Sequence, residues 1–422
     1  MDRMLATADA RPADAGPSAR GVSLKVLSLS LVYPNPAEPG LGPFVQARLQ
    51  HVAACADLKV VAPVPVIDYS GPNGKFGACR SVPSRRQDNG VDVLHPRWLY
   101  PPGGTPLNVL CLALRLAWTF TGLRRTFPFQ IIDAHFGYPG GVAAALLAKW
   151  FGCAFIVTLR GSEIKFAAYR YRRLCMGWAL RRAGAIIAVS SALRQLAIEA
   201  GADRARVVSI PNGVDGQIFR PRGKDACRAK FDVKAGTRVI VCAGELMEAK
   251  GHHLVIRALD SLVKEGVNAE LFIAGGVARG GRPFDKELSG LVAGLQLERR
   301  VHRLGWLQPD DLADLMSAAD VFCLASFSEG WPNVVQEALA CGTPVVASNV
   351  GAVAQMISAG EHGFVVPARD QGALNDALKA ALSHPWNRTA IAEWGQRRSW
   401  DQVALEVMDV MERVAAETRV RN

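Results

Sequence analysis

The sequence lacks the features of several specialised classes of protein. Its nine cysteines are widely spaced and form no C-x-x-C pair, so neither a disulfide framework nor a zinc site is indicated, and a reducing cytoplasm is expected. Its nearest approach to a long apolar run, residues 109–122, is interrupted by Arg115, so no membrane-spanning helix is predicted. Its glycines and prolines follow no Gly-X-Y period, and no G-x-x-x-x-G-K-S/T string occurs, which excludes a collagen-like chain and a Walker-type phosphate loop.

Charge is distributed unevenly along the 422 residues. Residues 1–212 contain 25 Lys and Arg against 12 Asp and Glu, whereas residues 213–422 contain 24 against 26. A basic half suits a phosphorylated substrate, an anionic lipid surface or nucleic acid. No nucleic-acid-binding module is recognisable, so nucleic acid is not expected as a partner. Residues 1–20 have no apolar core behind their basic residues, and they are predicted to be a disordered tail and not a secretory signal.

Short apolar strands alternate with helical segments along the chain, as in QIIDAH, FIVTLRG and AGAIIAVS, and later in RVIVCAGEL, AELFIAGG and VFCLAS. This alternation predicts βαβ units and parallel sheets. The series restarts near Pro211–Pro221, so we predict an α/β protein with two doubly wound, Rossmann-like domains facing a central cleft. The predicted boundaries are residues 21–211 and 212–395, with a helical segment at 396–422.

The most informative segment is SFSEGWPNVVQE, residues 326–337, where a buried strand leads into a helix. Gly330 permits a tight turn, and Pro332 fits the first helical position. The free amides near Asn333 and Val334 would suit a phosphate. Glu329 and Glu337 could then bracket a nucleotide-sugar, although an isolated pair of this kind is more often a helix-dipole partner and a surface residue.

A second loop of interest, from Gly244 to Gly251, also joins a strand to a helix. Lys250 could neutralise a pyrophosphate there, although a Lys ahead of a helix is usually solvated. The nearest dinucleotide fingerprint, Gly40-Leu-Gly42, lacks its third glycine, so nicotinamide chemistry is not expected. No D-x-D string lies at a strand end, so neither a metal nor another cofactor is expected.

The strings AADVFCLASFSEGWPNVVQEALACGTPVVAS, VVSIPNGVD and CAGELMEAKGHHLVIRAL carry a family resemblance. The chain resembles the family-4 (group 1) retaining glycosyltransferases of the GT-B fold, and within them the bacterial teichuronic-acid and exopolysaccharide transferases. The resemblance extends from Ser23 to Trp400. It implies an enzyme of the hexosyltransferase type, with the donor on the second domain, the acceptor on the first, and a C-terminal helix that crosses back to the first domain.

The resemblance also implies roles for individual residues. Glu329 would contact donor-sugar hydroxyls, Glu337 the ribose, and His135 the neighbourhood of the donor sugar, which makes Glu329 and His135 the expected catalytic residues. The other expected donor-side residues are Lys250, Gly244, Gly330, Asn333, Val334, Gly42, Trp306 and Leu307. The family usually has an Arg where this chain has Glu245, which would weaken or alter the grip on the diphosphate.

Arg160 and Glu163 follow a strand of the first domain and are expected on the acceptor side, although Glu163 could equally belong to a helix N-cap. The arginine-rich stretch 169–182 is either a solvated helix face or a surface for anionic lipid headgroups.

We therefore expect a cytoplasmic enzyme, with peripheral attachment to the inner face of the plasma membrane as a further expectation. Its partners would be a nucleotide diphosphate-sugar and a glycan or lipid-linked acceptor. Two alternatives stay open: a nucleotide-sugar epimerase or hydrolase on the same fold, and a non-catalytic sugar-nucleotide-binding subunit.

Overall fold

The structure is a computed structural model that describes residues 23–68, 75–76, 81–101, 106–277 and 284–421. The tail predicted for residues 1–20 lies outside the described residues. Within the part of the chain that the structure describes, no helix combines the length and the apolar character needed to cross a membrane.

The described part of the first domain has twelve strands, of which eight form the main sheet and four form two small two-stranded sheets. Its strands are β1 (Lys25–Leu29), β2 (Asp57–Val61), β3 (Val64–Pro65), β4 (Ile67–Asp68), β5 (Lys75–Phe76), β6 (Arg85–Asp88), β7 (Val91–Leu94), β8 (Arg97–Trp98), β9 (Ile131–His135), β10 (Ala154–Leu159), β11 (Ala185–Ala188) and β12 (Val207–Ser209). Its helices are α1 (Pro43–Ala53), α2 (Pro106–Thr126), α3 (Val142–Phe151), α4 (Ser162–Ala167), α5 (Arg170–Leu180) and α6 (Ser191–Glu199), with short helical turns at Gly137–Gly141 and Arg204–Arg206. The main sheet has the order β12-β11-β10-β9-β1-β2-β7-β6 and is parallel except for β6. The two small sheets pair β3 with β8 and β4 with β5.

The second domain has a six-stranded, fully parallel sheet. Its strands are β13 (Arg238–Ala243), β14 (Ala269–Ala274), β15 (Val301–Gly305), β16 (Val321–Leu324), β17 (Val345–Ser348) and β18 (Gly363–Val366). Its helices are α7 (Lys224–Lys230), α8 (His252–Lys264), α9 (Phe284–Gly294), α10 (Pro309–Ala318), α11 (Asn333–Ala340), α12 (Val353–Met356), α13 (Gln371–Ser383) and α14 (Arg388–Gln396), with a short turn at Glu248–Lys250. The final helix is α15 (Trp400–Arg421).

The central strands of both sheets are buried on both faces, which explains their continuous apolar sequences. Every residue of β10 is buried, and so are all but the first residue of β13. Helices cover each sheet on both sides, giving two cores per domain. The predicted α/β class with doubly wound parallel sheets is confirmed.

Both sheets reverse their strand order at one point. In the first domain β1 lies between β9 and β2, and in the second β13 lies between β16 and β14. The loops that leave two neighbouring strands at such a point run to opposite faces of the sheet and leave a crevice where ligands bind. The loops after β1, β9, β13 and β16 are therefore the ones that the topology brings to the two crevices.

The chain crosses between the domains twice, and the two crossings touch each other. The Val214 amide donates to the Arg398 carbonyl at 3.0 Å, and Arg398 Nε donates to the Pro211 carbonyl at 3.1 Å. Beyond this point α15 returns to the first domain, where Val407 and Met411 are buried in the same core as α1.

Candidate active site

Lys250 and Glu329 form an ion pair at the crevice of the second domain. Lys250 ends the short turn after β13, Glu329 lies in the loop after β16, and Lys250 Nζ donates to Glu329 Oε1 at 2.7 Å. Both side chains are largely shielded from water, with 27% and 12% of their surface exposed. Two residues that the sequence singles out separately thus belong to one cluster.

The backbones of these two loops pack directly against each other. A Cβ atom on Gly251 would lie 2.0 Å from the Ala325 carbonyl oxygen, and the positive φ of 69° also favours glycine. The Phe327 amide donates to the Ala249 carbonyl at 2.8 Å. Gly244, at the start of the first loop, lies alongside the aliphatic part of Lys250. These contacts fix the position from which Lys250 reaches Glu329.

Helix α11 begins beside this ion pair. It starts at Asn333, so Pro332 directly precedes the helix instead of occupying the predicted first helical position, and no side chain caps this end. The first amides of a helix have no intrahelical acceptor, and the helix dipole makes this end positive. The amides of Asn333 and Val334 are therefore placed to receive an anion.

Glu337 lies farther along α11 and is half-buried. No described residue forms a hydrogen bond or an ion pair with its carboxylate. Burial raises its pKa to about 7. A partly buried carboxylate without a protein partner has its acceptor capacity free for a ligand that carries hydroxyl groups.

His135 ends β9 and lies in the interior of the first domain. Its Nδ1 lies 3.0 Å from Arg160 Nη2 and 3.2 Å from Arg160 Nε, and its Nε2 lies 3.1 Å from Asp133 Oδ2. Because arginine can only donate, Nδ1 accepts and Nε2 carries the proton that is donated to Asp133. Both ring nitrogens are thus engaged, and the ring has no exposed surface. That His135 lies beside the donor sugar stays a prediction, and in this structure its ring holds Arg160 in place.

The electrostatics of this cluster keep the imidazole neutral. Burial, assisted by the charges of Arg160 and Arg48, outweighs the opposing effect of Asp133 and lowers the pKa of His135 to about 4. Burial acts to raise the pKa of Asp133, but His135, Arg48 and Arg160 together lower it to about 2.

Arg160 connects this cluster to α11 across the domain boundary. Its Nη1 donates to Asn212 Oδ1 at 2.9 Å, and Asn212 Nδ2 donates to Asn333 Oδ1 at 2.9 Å. Arg160 is 7% exposed and lies where the two domains meet, and its predicted acceptor-side role stays a prediction. Asp133 and Asn212 were not predicted as site residues. The IPNGVD string, which contains Asn212, was the available signal.

Glu163 is fully buried, and both of its carboxylate oxygens accept hydrogen bonds from backbone amides. The donors are Gly137 at 2.8 Å, Arg160 at 3.1 Å and Gly161 at 2.8 Å. Its contacts thus tie the loop after β9 to the loop after β10. An acceptor-side role stays a prediction, and the hydrogen bond from the amide of Gly161, the N-cap residue of α4, places Glu163 at the start of its own helix, as the alternative interpretation expects.

The remaining predicted residues lie around the same gap between the domains. Gly42 precedes α1 with a φ of 69°, and a Cβ atom there would lie 2.6 Å from Val32 Cγ1. Trp306 follows β15 and is 46% exposed, and its Nε1 would be 3.0 Å from a Cβ atom on Gly40 of the first domain. Leu307 packs against the core of the second domain. The assignment of Trp306 and Leu307 to a base pocket stays a prediction.

Glu245, which stands where the family usually has Arg, is exposed. Among the described residues no cation pairs with its side chain, and its carbonyl lies 3.2 Å from His252 Nε2. The described residues also contain no group of three or more His, Cys, Asp or Glu side chains arranged to hold a metal ion. That no cofactor is needed stays a prediction.

Comparison with known proteins identifies the family. The profile "Glycosyl transferases group 1" matches residues 223–398, and the profile "Glycosyl transferase 4-like domain" matches residues 40–213. A D-inositol 3-phosphate glycosyltransferase of Corynebacterium urealyticum is 30% identical over 67% of this chain and 71% of its own length. A Bacillus subtilis protein described as "Putative teichuronic acid biosynthesis glycosyltransferase TuaC" is 26% identical over 84% of this chain and 88% of its own length. A Rhodococcus opacus D-inositol 3-phosphate glycosyltransferase is matched over only 48% of its length.

Solved structures share the whole architecture. The sucrose-phosphate synthase of Thermosynechococcus elongatus superimposes with a TM-score of 0.76 at 19% identity, covering 93% of this chain and 100% of its own. Anabaena HepE in complex with UDP and glucose superimposes with a TM-score of 0.72 at 22% identity, covering 92% of this chain and 99% of its own. Two Rossmann-like domains in this arrangement form the GT-B fold. The chain belongs to the group 1 glycosyl transferases, which confirms the resemblance seen in the sequence, and it is an enzyme of that family.

Proposed function

We propose that this enzyme transfers a sugar from a nucleoside diphosphate sugar to an acceptor hydroxyl with retention of the anomeric configuration. The acceptor would be a glycan or a lipid-linked glycan used in cell-envelope or exopolysaccharide biosynthesis. The observation that carries the proposal is the ion pair between Lys250 and Glu329, 2.7 Å long, at the uncapped start of α11. The positive start of α11 and Lys250 suit the diphosphate of such a donor. Glu329, which pairs with Lys250, and Glu337, which has no partner among the described residues, suit its hydroxyl groups.

In the proposed complex the diphosphate lies against the amides of Asn333 and Val334. Lys250 would then share its charge between Glu329 and the phosphates. Negative charge grows on the diphosphate as the bond to the sugar breaks, and fixed dipoles with a nearby cation stabilise that charge in the transition state. This arrangement favours departure of the nucleoside diphosphate.

The two carboxylates would hold the two ends of the donor. Glu329, held by Lys250, would accept hydrogen bonds from hydroxyls of the transferred sugar and orient it. Glu337, which has no partner among the described residues, would accept hydrogen bonds from the ribose hydroxyls. Hydroxyl donors favour the ionised carboxylate, so donor binding would lower the pKa of Glu337 from its raised value.

Retention requires the acceptor to attack the face from which the nucleotide leaves. In the proposed step the bond from the anomeric carbon to the phosphate oxygen breaks and a bond to the acceptor oxygen forms on the same face. The acceptor proton passes to a leaving phosphate oxygen. His135 would act as a positioning residue, since its neutral ring holds Arg160 and, through Asn212, the first residue of α11.

The comparisons support the donor class and the biological setting. Structures of Anabaena HepE contain UDP, UDP-glucose or UDP with glucose, so a UDP-sugar is the first donor to test. The printed name of the Bacillus subtilis relative refers to teichuronic acid biosynthesis, which supports an acceptor in the cell envelope.

The test begins with a thermal-shift panel of uridine, guanosine and adenosine diphosphate sugars, because a ligand that binds the folded state raises apparent stability. The donor found in this way is then used in turnover assays. We expect Glu329→Gln to lower turnover by roughly a hundredfold, whereas Glu248→Gln, which changes an exposed carboxylate in the neighbouring turn, should leave it unchanged. Wild-type turnover in Glu329→Gln, or inversion of the product seen by NMR, would refute the proposal.

A further inference from the structure

We propose that one face of the first domain docks onto an anionic lipid bilayer. This face, called here the basic apolar face, is formed by the outer sides of α2, α3, α4 and α5. The basic apolar face would be the surface that meets a lipid-linked acceptor. Only this link to the acceptor rests on the proposed function.

Helix α2 carries an apolar stripe on the side that faces away from the protein. Leu107, Leu110, Leu114 and Trp118 are 55%, 56%, 63% and 80% exposed. Their spacing places them within about 80° of arc on the helix. The opposite side of α2, which includes Leu112 and Leu116, is fully buried in the core. A helix that is apolar on both sides normally has a second apolar environment available to its outer side.

Neighbouring helices extend this surface. Helix α3 packs beside α2 and exposes Leu146 and Trp150, the latter at 75%. Helix α5 packs beside α3 and exposes Leu174 at 61%, and Tyr169 directly precedes it. Exposed tryptophan, tyrosine and leucine side chains on adjacent helices are typical of proteins that insert into the headgroup region of a bilayer.

The exposed charges of the segment that forms this face are of one sign. Residues 99–182 contain only two carboxylates, Asp133 and Glu163, and both are fully buried. The same segment exposes seven cations: Arg125, Lys149, Lys165, Arg170, Arg173, Arg181 and Arg182. None of the seven forms an ion pair with a described residue.

Some cations of the second domain, in contrast, pair with carboxylates of the same domain. There Arg222 pairs with Asp310 and Asp314, and Arg228 pairs with Asp320, at distances of 2.7–2.8 Å. The cations of the basic apolar face, which have no ion-pair partner among the described residues, are therefore available to anions outside the protein.

An anionic bilayer satisfies both properties of the face at once. Its headgroups supply the missing negative charge, and its interfacial region accepts leucine and tryptophan side chains. A second copy of this chain joined through the same face would bring seven cations against seven, which opposes association. The lipid surface is therefore the occupant that the charges favour.

The position of the face connects it to the cleft. Helix α2 begins after β8 and ends before β9, so its first turn, with Leu107, lies on the side of the sheet where the cleft loops are. Helix α4 begins directly after Gly161, whose backbone contacts Gly330 of the second domain. A protein docked by this face would hold the rim of its cleft at the membrane, where a lipid-linked acceptor is anchored.

The test is flotation of the full chain with vesicles of phosphatidylglycerol and phosphatidylcholine, compared with vesicles of phosphatidylcholine alone. We expect binding to the first and not to the second, and weaker binding as salt concentration rises. The triple variant Leu110→Ser, Leu114→Ser, Trp118→Ser should lower partitioning by at least roughly tenfold. The control is Leu405→Ser, which changes a leucine of α15 that is 54% exposed and should bind as the wild type does.

A second pair of variants tests the charges. Arg170→Glu with Arg173→Glu should lower partitioning by roughly tenfold or more, whereas Arg257→Glu with Arg299→Glu, two exposed cations of the second domain, should not. The inference is overturned if the wild type ignores anionic vesicles, if the stripe variant binds like the wild type, or if the stripe variant instead converts a dimer into a monomer in solution. Thermal shifts with nucleotide-sugars, measured without vesicles, test the proposed function separately and should be unaffected in every variant.

Discussion

The Arg160 carbonyl lies so close to Gly330 that a Cβ atom on Gly330 would be 2.1 Å from the Arg160 oxygen. Gly330 follows Glu329 in the second domain, and Arg160 follows β10 in the first. From the other side, a Cβ atom on Gly161 would lie 2.9 Å from the Gly330 Cα atom. The domains thus meet by backbone contact beside the candidate site, so the fit between them helps to set the position of Glu329.

Gly330→Ala should therefore impair both the fit and the reaction. The added methyl group can be accommodated only if the two loops separate, and a displacement of about 1 Å at a positioning residue can cost roughly a hundredfold in turnover. We also expect a loss of about 1–3 kcal/mol in stability. Steady-state kinetics and thermal unfolding measure the two effects.

A glycine with free space around it provides the control for this variant. A Cβ atom on Gly290, inside α9, would meet nothing within 4 Å. Gly290→Ala should leave turnover unchanged and stabilise the helix by about 0.5–1 kcal/mol. Wild-type turnover in Gly330→Ala would show that the close contact is not required for the reaction.

Lys250→Met should weaken donor binding in a way that depends on the phosphates. The variant removes the cation nearest to Glu329 and leaves that carboxylate without its 2.7 Å partner. We expect the Kd of the nucleotide-sugar to rise at least roughly tenfold, and its dependence on salt concentration to become weaker. Calorimetric titration at two salt concentrations measures both quantities.

The nucleoside without phosphates and the variant Arg257→Met serve as controls for Lys250. Arg257 is an exposed cation of α8. Its removal should change neither the Kd of the nucleotide-sugar nor the Kd of the nucleoside without phosphates. An equal loss of affinity for the bare nucleoside in Lys250→Met would show general damage to the pocket and not a lost phosphate contact.

The fold and the second-domain half of the candidate site could be predicted from the sequence. Alternating apolar strands and helices predicted the doubly wound sheets because burial on both faces imposes continuous apolar runs. The strand-to-helix segment containing Glu329 and Glu337 was identifiable because all of its residues are close in sequence. Lys250 was identified in its own loop, but its pairing with Glu329, 79 positions away, depends on strand order, which local patterns do not specify.

The first-domain half of the site was harder to predict for the same reason. The link from Asn212 to Asn333 spans 121 positions, and nothing in the sequence near His135 indicates that Arg160 and Asp133 occupy both of its ring nitrogens. Sequence patterns also cannot say which side of α2 faces the core, because apolar residues occur all around this helix.

Donor affinity should depend on pH through Glu337. Its pKa is about 7 in the structure without ligand, so at neutral pH a substantial fraction is protonated. Because ribose hydroxyls favour the ionised form, binding releases a proton, and affinity should rise as pH increases from 6 to 8 and then level off. Calorimetry in buffers of different ionisation enthalpy measures the released proton directly.

Glu337→Gln removes the titrating group while keeping the size of the side chain. We expect its affinity for the same donor to be lower than that of the wild type at pH 8 and nearly independent of pH over this range. A pH dependence that survives in Glu337→Gln would assign the effect to another group.

Titration of His135 should lower stability on mild acidification, a contribution that His252 shares because burial also lowers its pKa to about 4, and that the raised pKa of Glu337 opposes. The pKa of His135 is about 4 in the folded protein and about 6.5 in an unfolded chain. Between these values only the unfolded imidazole binds a proton, so the free energy of unfolding decreases as pH falls through this window. The full difference corresponds to about 3 kcal/mol, reached below pH 4. Thermal unfolding between pH 7 and 5 samples the upper part of this loss, before Asp133, whose pKa is about 2, begins to titrate.

His135→Gln separates this titration from the hydrogen bonds of the ring. The glutamine amide can accept from Arg160 and donate to Asp133 but does not titrate, so the variant should lose less stability than the wild type between pH 7 and 5. Its turnover at neutral pH should also exceed that of His135→Leu, which offers Arg160 no acceptor. If His135→Gln and His135→Leu are equally inactive while both remain folded, the imidazole has a direct role at the donor sugar, and the positioning role assigned to it here is wrong.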